Sequence, residues 1–76
     1  MIMNISVEKR IGKNIRNIRE HIGMTQEILA VKLQLRGCDI TRSAVAKIEV
    51  GQRHLYVDEV ILIKEIFDVS YEDILA

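Results

Sequence analysis

Proline and tryptophan are absent from this 76-residue chain, and its aromatic residues are two tyrosines and one phenylalanine. A single cysteine, Cys38, cannot close an internal disulfide, which fits a reducing cytoplasm or a fold that needs no bridge. No apolar run is longer than that of Val60 to Ile63, far too short to span a bilayer. The opening MIMNIS has neither the basic start nor the apolar stretch of a signal peptide. Two histidines and the one cysteine, with no acids clustered around them, offer no nucleophile–base pair and no metal-ligand spacing. A core this small also leaves little room for a small-molecule substrate pocket. No catalytic residue, metal or other cofactor is therefore expected, and the expectation is one cytoplasmic domain over residues 1–76, with 1–6 as a loosely ordered extension.

Net charge is lacking too, since eleven basic residues match eleven acidic ones. The distribution is uneven. Residues 1–54 hold ten Lys and Arg against five Asp and Glu, whereas residues 55–76 hold one against six. Such polarity either turns a positive face toward a polyanion or lets two solvated faces attract each other.

What is abundant is aliphatic. About half the residues are apolar, enough for a core near the lower size limit of an unbridged domain. With proline missing, Gly12, Gly23, Gly37, Gly51 and capping hydroxyls supply the punctuation. Val7, Ile11, Ile15, Ile18 and Ile22 recur at spacings of three and four, one face of a helix ending at Gly23. Thr25 caps a second helix with Ile28, Leu29, Leu33 and Leu35 on its apolar side, and Gly37 ends it. Thr41 caps a third, ended by Gly51. Val57, Val60, Ile61, Ile63 and Phe67 mark a fourth with Asp68 just past its end, and Ser70 with Asp73 opens a fifth in capping-box spacing. Nothing alternates like a strand, so the expected class is all-α, a compact bundle of five helices.

The third helix, from TRSAVAKIEVGQRH, has Val45 and Ile48 on one face, Glu49 interrupting that face, and Arg42, Ser43 and Lys47 outward. Helices two and three make a helix–turn–helix candidate. IGKNIRNIRE, MTQEILAVKL, TRSAVAKIEVGQR and FDVSYEDIL follow one another in the order and character of the phage repressor and Cro-like helix–turn–helix family. The chain resembles that family over roughly residues 8–75, most specifically at Thr25-Gln26-Glu27, Leu29-Ala30 and Ile48-Glu49 with Gly51.

The resemblance implies a double-stranded DNA partner and a set of roles. Arg42, Ser43 and Lys47 match positions that face bases, and Arg and Lys there can donate to guanine O6 and N7. Thr25 and Gln26 match a helix start that holds a phosphate, Thr25 also serving as a cap. Arg53 and His54 match residues that touch the DNA backbone. Glu49 matches a carboxylate paired with the helix-one arginine, here Arg19, in a structural role. Ala30 lies where the motif helices approach closely, and Ala46 is either a helix former or a neighbour of the DNA.

Departures from the family pattern matter as well. LQLRGCDIT is about five residues longer than the usual turn. Either helix two runs on to Arg36, or a loop bulges beside the DNA-facing surface. Arg36 then adds a phosphate contact, with half-buried Cys38 near it. Lys64 replaces a small apolar residue, and Leu62 is apolar where relatives are polar. With Tyr56, Ile66 and Tyr71, Leu62 suggests surplus apolar surface for a homodimer through helices four and five, to which MIMNI contributes. The function expected is a DNA-binding transcriptional regulator, of repressor type. The alternative is a protein-binding helical module, antitoxin-like, that keeps the fold and takes a protein partner.

Overall fold

The computed structural model describes residues 5–76 and holds α1 (Ile5–His21), α2 (Gln26–Leu35), α3 (Arg42–Glu49), α4 (Val57–Phe67) and α5 (Tyr71–Leu75). The described residues form no strand. Of the extension expected over 1–6, residues 1–4 lie outside the described residues, and Ile5 and Ser6 belong to α1. None of these helices is long and apolar enough to cross a membrane.

Local bonds set the boundaries. The hydroxyls of Thr25, Thr41 and Ser70 accept from the backbone N–H three residues on, at 3.1 Å each, in the geometry of an N-cap. Asp73 completes the reciprocal half at α5, accepting from the Ser70 N–H at 3.0 Å. Helices α1 to α4 all end with a residue in the left-handed region and paired return bonds to the last-turn carbonyls. At α4 that residue is Asp68, with φ 55°, a conformation that a short polar side chain tolerates better than a bulky one.

Packing places α1 across α3 and α5, and α2 against α3 and α4. Ile15, Leu29, Leu33, Ile40, Ile63 and Ile74 form the centre of the core. Asn14 donates to the Ile74 carbonyl at 2.9 Å, tying α1 to α5. Gly12 is not a break between elements. It lies inside α1, buried where α1 crosses α3, and a Cβ there would come within 2.9 Å of the Glu49 backbone and strike the Ile48 carbonyl oxygen. A glycine is needed because two backbones meet.

Several apolar residues face outward. Ile22 and Ile28 are about half exposed, Leu35 is 80% exposed and Val57 is 77% exposed. Helical spacing shows that residues share a face, but a cylinder this thin buries only the arc that neighbours cover. The longer turn resolves as α2 running to Leu35 with Arg36 as its C-cap, followed by a braced loop. Gln34 Nε2 donates to the Ile40 carbonyl at 2.8 Å, and Ile40 is buried in the core. That side-chain bond and the anchored Ile40 let the extra residues leave α3 in register.

Candidate nucleic-acid interface

Four elements converge on one carboxylate. Glu49 is buried at the end of α3. Its Oε2 accepts from Arg19 Nε at 2.6 Å, and its Oε1 accepts from Arg19 Nη2 and from Gln26 Nε2, both at 3.0 Å. The remaining arm of Arg19, Nη1, donates to the Met24 carbonyl at 2.7 Å. The Arg19 guanidinium is raised above its ordinary range, chiefly by the hydrogen bond to Glu49, so the arginine stays charged. A single buried charge pair thus fixes α1, the α1–α2 turn, the start of α2 and the end of α3 relative to one another.

With Glu49, Val45 and Ile48 turned inward, α3 presents Arg42, Ser43 and Lys47 to solvent, and Ala46 is half-buried between them. The inward set recurs at helical spacing, which leaves the opposite arc free. Thr41 caps this helix and Thr25 caps α2. Each hydroxyl satisfies one first-turn amide and leaves earlier ones open to an anion. Between the two starts lies an open cleft lined by Arg16, Thr25, Gln26 and Arg42, among others. Gln26 has one amide donor committed to Glu49, so any contact it makes with a phosphate comes from the rest of the group.

The cations beyond α3 are placed differently. Arg53 donates through Nη1 and Nη2 to the two oxygens of Glu59 at 2.9 and 3.0 Å, and again to the His54 carbonyl at 3.0 Å. The His54 Nδ1 lies 3.1 Å from Glu8 on α1. Both expected backbone contacts are thus engaged within the fold. Glu59 itself is buried in the first turn of α4, where its Oε1 also accepts the Tyr56 N–H at 3.0 Å. Sequence reasoning missed Glu59 because tyrosine is an unusual residue at an N-cap, although the spacing from Tyr56 to Glu59 is that of a capping box.

Arg36 is exposed on the long loop and donates to the Lys32 carbonyl at 3.0 Å. Cys38 is half-buried, and burial first, then the carboxylates of Glu59 and Asp58, push its thiol up, which favours the protonated form. Of the residues expected at a dimer surface, Tyr56 and Tyr71 are exposed, whereas Leu62 and Ile66 are half-buried against the core. Tyr71 joins Val57, Ile61 and Leu75 around an apolar groove with Glu8 at its edge. Lys64 is half-buried, with Nζ 5.1 Å from the centre of the Tyr71 ring. Among the described residues, no cluster of His, Cys, Asp or Glu has the makings of a metal site.

No curated protein matches the sequence. The fold is similar to the crystal structure of the DNA-binding domain of BldD, with a TM-score of 0.81 and 23% identity over 97% of this chain and 100% of that one. It is also similar to the restriction-modification controller protein C.AhdI from Aeromonas hydrophila, with a TM-score of 0.79 and 23% identity over 91% of this chain and 97% of that one. At that identity the likeness concerns the fold. Residues 15–74 match the helix-turn-helix family profile, which covers most of the chain and both motif helices. The chain belongs to the Cro-like helix-turn-helix family, a family of DNA-binding transcription regulators.

Proposed function

We propose that this protein is a repressor-type regulator that binds an operator as a homodimer and reads the major groove with α3. The observation that carries the reading is the Arg19–Glu49–Gln26 frame, which holds α2 and α3 together and leaves Arg42, Ser43 and Lys47 facing outward. In this reading, Arg42 and Lys47 donate to base edges, with Ser43 as a tolerant neighbour. A backbone phosphate occupies the cleft beside Arg16 and the start of α2, where helix dipole and open amides favour an anion. Thr25 and Gln26 border that phosphate, and Arg36 reaches the backbone from the long loop. Regulation then follows from occupancy of the site.

Dimerisation is assigned to the apolar groove at the meeting of α1, α4 and α5, where a second copy would cover Val57, Ile61, Tyr71 and Leu75. Two-fold related reading helices fit half-sites one helical turn apart.

Selection from a random duplex pool, followed by titration of the enriched sequence against salt, tests the whole reading. The expected product is an inverted repeat with half-site centres about 10 base pairs apart. An isolated half-site would overturn the dimer. No enrichment even at low salt would overturn DNA reading and leave a protein partner as the object of search.

A further inference from the structure

Helix α1 carries a cationic surface of its own. Lys9, Lys13 and Arg16 are spaced four and three residues apart and so stand on one side of the helix. Close backbone approaches at two glycines press that side against the exit of α3. Gly12 meets the backbone of Ile48 and Glu49, and a Cβ on Gly51 would lie 2.5 Å from Lys9 Cγ and 3.1 Å from the Lys9 backbone. The stripe therefore runs along the C-terminal end of α3, beside an open groove of about 400 Å³ that Glu49 and Val50 also line. Arg16 lines both this groove and the cleft at the start of α2, so the two surfaces are continuous.

Pairing separates these cations from their neighbours. Lys9, Lys13 and Arg16 are all exposed, and among the described residues the lysines have no carboxylate partner. Arg16 has only Glu20, at 3.6 Å and open to solvent on both sides, a contact of the kind that adds little. Arg53 and His54, by contrast, sit against Glu59 and Glu8. Unpaired ammonium groups beside a reading helix suit a polyanion, since each contact with a phosphate releases condensed counterions.

We infer that Lys9, Lys13 and Arg16 form a phosphate track along α1, which binds the DNA backbone flanking the half-site with cations less committed to carboxylates than Arg53 and His54. This rests on the reading of α3 as the DNA-facing helix. Lys9 and Arg16 are about 10 Å apart along the helix axis, far enough for the stripe to reach more than one phosphate. Such contacts carry affinity and salt dependence, and no sequence preference.

The test compares wild type, K9Q/K13Q and K64Q on the enriched duplex and on a random duplex of the same length, each over a range of salt. Lys64 lies on α4 and controls for the loss of charge as such. K9Q/K13Q is expected to weaken both duplexes by the same factor and to make the slope of log affinity against log salt shallower by about 2, at about 0.9 per phosphate contact. K64Q should keep the wild-type slope, and E20Q, which frees Arg16, should tighten both. Melting curves establish that each variant is folded. If K9Q/K13Q keeps the wild-type slope while R42A loses preference for the enriched duplex, the track is overturned and the reading of α3 stands. If wild-type protein binds no duplex at any salt, both fall together.

Discussion

Glu49 grips Arg19 from 30 residues away in sequence, accepting two of its N–H groups at 2.6 and 3.0 Å with both side chains largely buried. The geometry is bidentate, and the other donors to the site, Gln26 and the rest of Arg19, are also matched. Removing one member leaves a buried charge without its partner, which typically costs about 3–5 kcal/mol, a large part of the stability of so small a domain. Glu49→Ala is expected to lower the melting temperature by more than about 10 °C. The double variant Arg19→Ala/Glu49→Ala should lose less than the two single losses added together. Circular dichroism melts decide it, and an unchanged curve for Glu49→Ala would remove the pair from the account of the fold.

How much of this could be read from the sequence depends on the range of each interaction. Thr25, Thr41 and Ser70 act on amides three residues away, so local pattern sufficed to place the helix starts. The outward arc of α3 was legible because Val45 and Ile48 leave a single choice of buried side. In α2, Ile28, Leu29, Val31, Leu33 and Leu35 spread around the helix, and spacing could not tell which arc its neighbours would cover. The partner of Arg53 lay hidden behind an atypical cap, and the reason for Gly12 is a crossing between helices that no local pattern encodes.

Gly12 leads to a prediction whose sign is contested by two effects. In an isolated helix, alanine is better than glycine by about 1 kcal/mol. Here the added methyl would meet the backbone of α3, which no rotamer change relieves, and overpacking of this kind costs about 1–3 kcal/mol or more. Gly12→Ala should therefore be less stable than wild type in urea denaturation and weaker in DNA binding, because α3 must shift. A more stable variant would mean that α1 and α3 lie further apart than described.

Glu59 predicts how stability responds to acid. Burial pushes its carboxyl up, but the hydrogen bonds from Arg53 and the Tyr56 N–H, with the charges of Arg53 and His54, outweigh this and hold it below its usual value. A carboxyl depressed in the folded state contributes its full stability above the unfolded value, near pH 4.5, and loses it as the pH falls through the folded value. Glu59→Gln should cost about 1–3 kcal/mol at neutral pH, by weakening charged hydrogen bonds, and should flatten the fall in stability below about pH 4.5. Urea midpoints at pH 3 to 7 measure both effects. Parallel pH profiles for variant and wild type would contradict the pairing.

Arg42 and Lys47 separate reading from mere attachment. If each donates to a base edge, removing one costs about 1–3 kcal/mol of discrimination against the wrong base pair. Arg42→Ala and Lys47→Ala are exposed changes on a good helix former, so folding should be untouched. Competition between the enriched duplex and single-base variants is expected to show relaxed preference at separate positions for the two substitutions. Equal weakening on every duplex would instead make them phosphate contacts.

Val57 offers the sharpest test of assembly. At 77% exposure it is a large aliphatic residue at the first turn of α4, on the rim of a groove that Ile61, Tyr71 and Leu75 continue. Carboxylates there add no burial cost to the monomer, so Val57→Glu should fold with wild-type helical content by circular dichroism, its melting temperature lowered only by the loss of association. In a dimer closed over the groove the same change buries a charge beside its symmetry mate and Glu8, and like charges brought together out of water oppose association. Sedimentation velocity should show wild type moving as a dimer and Val57→Glu as a monomer over the same concentrations. Binding to the inverted repeat should then lose its joint occupancy of the two half-sites and fall toward that of one half-site. A Val57→Glu protein that still sediments as a dimer would move the interface to another face of the molecule.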